Sequence, residues 1–314
     1  MYIIIEALKA VLFGIVEGVT EWIPVSSTGH LILLGEVVRF SLPGTAEEQA
    51  AFMEFYDVVI QLGAILAVVI IFFKKIWPFG IYDKNREEVR KVGDLERHSW
   101  RIGNMFIIKK DIFFLWIKLA IACLPGLIYG VLLDDVMEEI TAPYKSIIVA
   151  VMLLVVGILF IVIESIRGHE RPSVRSVADI NMTAVIIIGI AQVIAGALPG
   201  TSRSGATIIA GLLLGLSRVA AAEFTFFLAI PTMFGASLLK LIKYLGEGMK
   251  FTPVEMMIVG VSSVTAFAVS MLSIRFLMGY VKKHNFKPFG WYRIVLGIAV
   301  LALFFFTGGN GIHT

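Results

Sequence analysis

"VEGVTEWIPVSSTGH", residues 16–30, stands between two apolar runs, 2–15 and 31–38, and interrupts what would otherwise be one hydrophobic stretch. Two carboxylates, a proline, three consecutive hydroxyls and a histidine crowd into a setting that is otherwise mostly apolar. The surrounding chain explains why this is costly. Of 314 residues, 58% are hydrophobic and 16% charged, and the mean hydropathy is +0.88, far above a soluble domain. A helix that spans a bilayer needs about 17–25 mainly apolar residues. Six segments approach that length: 58–73, 112–133, 147–163, 224–239, 256–278 and 292–306. The sequence therefore predicts an all-α polytopic membrane protein with about six transmembrane helices, forming a single integral domain over 1–314.

The opening run lacks the basic region and small-residue cleavage site of a removable signal, so 2–15 is expected to stay in the mature protein. Cys123 is the only cysteine, which excludes an intrachain disulfide and a cysteine-based metal site. The net charge of +3 is small, but its distribution is uneven. Ten Lys and Arg fall in 74–111, three in 164–183 and four in 279–291 taken with Arg293. The segments 39–57 and 134–146 carry one each (Arg39, Lys145), and 240–254 carries three. Positive segments favour the cytoplasmic side, so the first three are expected to face in and both termini to lie outside. The three Lys of 240–254 fit this poorly. The basic run 86–91 reads as a solvated part of a polar cytoplasmic loop, 74–111. Nothing in the chain points to nucleic acid.

A second polar interruption, "GIAQVIAGALPGTSRSGATII" at 189–209, copies the first. At a constant offset of 175, Gly14 falls on Gly189, Glu17 on Gln192, Pro24 on Pro199 and Ser27 on Ser202. A weaker echo follows each copy, at 54–66 and 223–235. Three predicted crossings separate the copies, an odd number, so the two enter from opposite sides as an inverted-topology repeat. The repeats are expected at about 1–133 and 147–306. Short apolar arms around a middle rich in Gly, Pro, Ser and Thr suit a re-entrant helix–loop–helix hairpin in each copy. Its tip must be buried in protein or line a wet cavity, and the simplest arrangement joins the two tips inside the membrane.

Glu17 and Glu21 are four apart and share a helical face, where two like charges repel. Ionisable groups at membrane depth mark functional sites. A carboxylate pair there suits a divalent cation or protons being moved, and for a cation hard oxygen ligands favour Mg²⁺ or Ca²⁺. The second copy offers the complement: Arg203 among Thr201, Ser202, Ser204 and Thr207, leading into an apolar helix. A guanidinium fork, hydroxyls and a helix N-terminus are what a phosphate needs. In the first copy Ser26, Ser27 and Thr28 precede His30, and a Ser or His near a phosphate can attack it while a neighbour handles the proton. His98, His169, His284 and His313 read as solvated, and Gln192 as an amide in the same cavity or in helix packing. The substrate implied is a phosphate on an apolar body that arrives through the lipid.

At these residues the chain closely resembles the bacterial undecaprenyl-diphosphate phosphatases, the family linked to bacitracin resistance. The likeness rests on "EGVTEWIPVSSTGH" and "PGTSRSGAT" and covers essentially the whole chain. It implies a cation-dependent hydrolase of the bacterial inner membrane. That hydrolase removes the terminal phosphate of undecaprenyl diphosphate, recycling the carrier lipid for cell-wall synthesis. Glu17, Glu21, Ser27, His30 and Arg203 fall on the family's functional positions, and the family fold has inverted repeats, two re-entrant hairpins and often a homodimer. The expected mechanism has Glu17 and Glu21 holding the metal. Arg203 and the hydroxyls hold the diphosphate, and Ser27 attacks with His30 as base or acid. Attack by His30 itself or by water stays open. A transporter or flippase of a polyprenyl phosphate is the alternative, because broken helices meeting near the midplane are also a transporter plan.

Overall fold

The computed structural model describes residues 1–81, 99–102, 106–167 and 171–306. The basic run 86–91, His98, His169 and His313 lie outside the described residues. The chain is helical nearly throughout: α1 (Tyr2–Thr20), α2 (Ser27–Val37), α3 (Ala46–Ile71), the single turn α4 (Phe73–Ile76), α5 (Lys110–Leu132), α6 (Asp134–Thr141) and α7 (Lys145–Arg167). Then come α8 (Met182–Ala197), α9 (Arg203–Leu213), α10 (Arg218–Gly246), α11 (Pro253–Tyr280) and α12 (Lys287–Phe306). Among the described residues, six helical stretches are long and apolar enough to span a membrane: α3, α5, the joined Asp134–Arg167, α10, α11 and α12. These coincide with the six predicted segments, each starting earlier in the chain than expected. The protein is an all-α polytopic membrane protein.

One lengthening has a clear local cause. α3 starts at Ala46 rather than near 58 because Thr45 and Glu48 form a capping box, the Thr45 hydroxyl accepting the Glu48 N–H and the Glu48 carboxylate accepting the Thr45 N–H. That exchange satisfies amides no helical carbonyl can reach. The expected loop at 74–111 is corrected in part. Phe79–Ile81, Ser99–Ile102 and Phe106–Lys109 form a small antiparallel sheet, β1, β2 and β3, in the order β1-β3-β2. Aromatic and β-branched residues recur in all three strands, a composition suited to pleated backbone.

Four helix pairings fix the architecture. α1 lies along α11, and α8 lies along α5. A Cβ on Gly14 would meet the Ser262 carbonyl at 2.5 Å, and one on Gly189 the Ala122 carbonyl at 2.5 Å. Both crossings depend on a missing side chain, the device that lets membrane helices approach closely. α3 runs antiparallel to α10, tied by Glu54–Lys240 (3.4 Å) at one end and Lys75–Glu223 (2.6 Å) at the other. α7 runs antiparallel to α12, with Gly157 against Gly290 and Gly297 against Ala150.

One end of the molecule gathers the cationic segments. There Lys75 meets Glu223, Trp116 Nε1 donates to the Ile76 carbonyl, Lys118 to the Ala178 carbonyl, and Arg218 pairs with Glu164. The other end holds Glu54, Asp135 and Glu138. Lys240 and Lys243, which fit the charge pattern poorly, are paired with these three carboxylates.

The two short hairpins open at opposite ends. The Tyr2 hydroxyl donates to the Ser41 carbonyl and Lys9 to the Arg39 carbonyl (2.6 Å), so α1 begins beside the segment that follows α2, at the end of α3 that carries Glu54. α9 ends beside the segment that precedes α8, through a Val174 N–H to Gly215 carbonyl bond of 3.1 Å and a Ser217 N–H to Val174 carbonyl bond of 2.8 Å. With 11 residues each, α2 and α9 reach about 16 Å, half the hydrocarbon thickness.

Candidate active site at the joined loop tips

Each hairpin turns through a serine. Ser26 and Ser202 are the two non-glycine residues with positive φ among the described residues, 77° and 68°. Each hydroxyl accepts the N–H of a glycine three residues on, Gly29 at 3.3 Å and Gly205 at 3.2 Å. These caps satisfy one of the exposed amides of α2 and α9, and the strain they tolerate is typical of a built site. Helix α2 thus begins at Ser27 and α9 at Arg203. The constant offset of 175 therefore slips by one at the turn, since Ser26, not Ser27, is the structural counterpart of Ser202. The extra residue lies between Pro199 and Ser202, where Gly200 takes φ +89° and a Cβ would strike Val149 Cα at 2.5 Å.

Glu21, the residue after α1, joins the tips. Its Oε1 accepts from Arg203 Nη2 at 2.6 Å, its Oε2 from Ser27 Oγ at 2.7 Å, and its backbone carbonyl from Ser204 Oγ at 3.2 Å. The carboxylate is 7% exposed, so a carboxylate from one hairpin and a guanidinium from the other are paired in a dry environment, where such bonds are strong. Arg203 is steadied further by Thr232 Oγ1 (3.4 Å) and Met233 Sδ (3.3 Å), just after Pro231 inside α10. Ser202 and Ser204 hydroxyls lie 3.1 Å apart beside it.

Glu17 is fully buried, and neither carboxylate oxygen has a hydrogen-bond partner among the described residues. Glu21, Asp57 and Arg203 are within electrostatic range of it. An orphaned buried carboxylate is costly, and two free hard oxygens fit a divalent cation that takes its remaining ligands from phosphate and water. No cluster of three or more acidic, His or Cys side chains exists among the described residues to form a complete protein cage.

His30 is placed differently from expectation. Its Nδ1 donates to the Ser26 carbonyl (2.7 Å), its Nε2 accepts from the Tyr292 hydroxyl (2.7 Å), and its ring stacks on Tyr292. Ser27 is hydrogen-bonded to Glu21, not to His30. Thr28 is exposed at the tip. Thr201 and Thr207 use their hydroxyls on the Leu198 carbonyl and on the Arg203 carbonyl and Thr225, respectively, so they shape the second tip. Gln192 bonds the Ala122 carbonyl of α5 at 3.1 Å, in helix packing.

Arg293 corrects the charge count, which grouped it with a cytoplasmic loop. It is wholly buried in α12, opposite Gly157 near the middle of α7. Its guanidinium donates to the Pro24 carbonyl of the first tip (3.3 Å) and to the Gly200 and Thr201 carbonyls of the second (2.8 and 3.0 Å). It clasps both tips at mid-depth, with no carboxylate partner among the described residues. Tyr292 and Arg293 were invisible as site residues in the sequence because they stand alone at the start of an apolar run. An aromatic and a cation there read as membrane-interface anchors.

The chain matches the family described as bacitracin resistance protein BacA over residues 10–299, a range that contains both tips and Arg293. It is 49% identical to an undecaprenyl-diphosphatase of Desulfitobacterium hafniense over 96% of this chain and 97% of that protein. Relatives of the same description from Clostridium acetobutylicum (47%) and Enterococcus faecalis (48%) are covered to 98% and 97% of their lengths. With the family matched over most of its length and relatives covered almost end to end, the chain belongs to the BacA bacitracin resistance protein family.

Proposed function

We propose that this protein is an integral membrane phosphatase that removes the terminal phosphate of undecaprenyl diphosphate, leaving undecaprenyl phosphate for another round of cell-wall assembly. The observation that carries the reading is the Arg203–Glu21–Ser27 chain of hydrogen bonds across the joined tips, in a chain similar to proteins named for that activity. Arg203 and the Ser202 and Ser204 hydroxyls hold the diphosphate. The N-terminus of α9 adds backbone donors. Ser27 Oγ attacks the terminal phosphorus, the bond to the bridging oxygen breaks, and Glu21 takes the hydroxyl proton through the contact already formed. Water then hydrolyses the phosphoserine, releasing inorganic phosphate and restoring Ser27. Glu17, together with Glu21 as Arg203 turns to the substrate, would hold Mg²⁺ or Ca²⁺. That ion would neutralise charge on the transferring phosphoryl group. His30 orients the Ser26 turn through Nδ1 and is itself held by Tyr292 through Nε2; it serves the leaving phosphate only where it exchanges that Tyr292 contact for the substrate.

The same reading treats the fold as an inverted-topology repeat with two re-entrant hairpins. Exchanging α1, α2, α3, α5 and α7 with α8, α9, α10, α11 and α12 maps the helix pairings onto one another, and the hairpins open at opposite ends. This pairing supports a divide between 167 and 182, not at 133–147, since α7 and α12 are partners as α3 and α10 are. The end rich in Lys and Arg then faces the cytoplasm of a bacterial inner membrane, with both termini outside.

The test is phosphate release from a long-chain prenyl diphosphate by purified protein in detergent, with Mg²⁺, Ca²⁺ or chelator, beside Glu21→Ala and Arg203→Ala. Release that is lost with chelator and in both variants is expected. Folded wild type that binds the lipid but releases no phosphate with either metal would overturn the hydrolase in favour of a transporter, whose plan the opposed hairpins also fit.

A further inference from the structure

At the cationic end, remote from the joined tips, a cavity of about 400 Å³ lies between the end of α7, the end of α9, the start of α10 and the segment after α11. Arg167, Arg171, Arg218 and Lys282 line it, against one acid, Glu164. That acid is committed. Its two oxygens hold Arg218 (2.8 and 2.6 Å), and Oε1 also accepts the Phe286 N–H at 3.0 Å. Arg171 and Lys282 have no ion-pair partner among the described residues and are exposed at the cavity. The cavity therefore holds a net positive charge that no carboxylate of its own wall neutralises.

Two further features define what it accepts. The 29-residue α10 starts in the wall. Its cap Ser217 takes the Ala220 N–H at 3.1 Å, leaving the Arg218 and Val219 amides directed away from the helix without a helical acceptor. Ser173 lines the cavity with a hydroxyl that rests on the Gly215 carbonyl at 3.3 Å. Cations, free helix-end amides and hydroxyls around one cavity make a phosphate site. Beside it Ile166 and Leu213 are 67% and 55% exposed, an apolar surface along which acyl chains can lie. The site is separate from Arg203 by the whole of α9, about 16 Å.

We propose that this cavity binds a phosphate group, and that its source is the headgroup of an anionic phospholipid in the surrounding membrane. The test uses the full chain in neutral detergent, with thermal unfolding followed during titration with phosphatidylglycerol, phosphatidylcholine or inorganic phosphate. Wild type is compared with Arg171→Gln/Lys282→Gln, and with Lys74→Gln/Lys250→Gln, which removes the same charge elsewhere. Phosphatidylglycerol is expected to raise the unfolding temperature of wild type and of the Lys74/Lys250 variant. Its apparent affinity should fall about thirty-fold in the Arg171/Lys282 variant, as expected for two lost surface cations. An equal, variant-sensitive response to inorganic phosphate would keep the site and make free phosphate its ligand. A response that is the same in all three proteins, or no greater with phosphatidylglycerol than with phosphatidylcholine, would overturn the site.

Discussion

The two hairpin tips share a backbone and divide the chemistry. Each turns through a serine at positive φ whose hydroxyl caps an 11-residue helix, yet the first helical residue is Ser27 in one and Arg203 in the other. Glu17, left without a partner, corresponds to Gln192, which is tied to the α5 backbone. Glu21, which carries the ion pair, corresponds to Gly196, where a Cβ would meet the Tyr129 ring at 3.2 Å. A duplicated scaffold thus supplied two equal mounts. In the proposed mechanism one mount holds the nucleophile and acids and the other the phosphate-binding cation, because a single site needs complementary groups rather than two of each.

The sharpest way to break this comparison is to cross its ion pair. Glu21→Ala and Arg203→Ala should each lower phosphate release about 10²–10³-fold or more, the scale for losing a charge-stabilising group in a dry site. The exchange Glu21→Arg/Arg203→Glu should restore folding stability without activity, since each mount presents its own geometry to substrate. Activity in the exchanged protein would mean the tips are interchangeable.

Arg293 is what makes the two tips one site. Arg293→Met removes the donor shared by Pro24, Gly200 and Thr201 and leaves buried carbonyls unsatisfied, at about 1–3 kcal/mol for each such group. A fall in unfolding temperature and a loss of phosphate release should appear together. A variant that stays as stable as wild type in thermal unfolding would show that the tips hold each other without the clasp.

Tyr292→Phe tests an asymmetry, because Ala206, the residue of the second tip matching His30, has no such partner. Losing one neutral hydrogen bond is worth about 1 kcal/mol, so catalytic efficiency should fall about five-fold while Ser27→Ala abolishes phosphoenzyme formation. An unchanged rate in Tyr292→Phe would remove His30 orientation from the mechanism. The smallest effects sharpen the likeness instead. Ser26→Gly and Ser202→Gly each relieve a positive φ while losing little as caps. Both should shift stability by about 1 kcal/mol or less and in the same direction, by thermal unfolding. Opposite signs would show that the two turns are not equivalent.

Much of this was open in the linear order of residues. Six apolar stretches near membrane length dictate six crossings, because unsatisfied backbone cannot face lipid. The paired interruptions at 16–30 and 189–209 mark two polar tips, and the Glu21, Ser27 and Arg203 that stand in them meet in the structure. The turn register was hidden by one extra residue after Pro199, since a sequence offset has no way to mark which serine takes positive φ. The small sheet near 79–109 was hidden by its setting in a polar, charged segment.

What the sequence by itself determined is the membrane class and the list of polar groups placed where lipid would penalise them, for each follows from local composition and the cost of burying charge. Only the tertiary structure decided the pairings. Glu21 chooses Arg203 from 182 residues away, Ser27 turns to Glu21 rather than to His30, and Arg293 leaves the cytoplasmic charge count to clasp both tips. Those choices depend on which helices cross at which glycine, a property of two surfaces meeting that neither stretch of sequence contains alone.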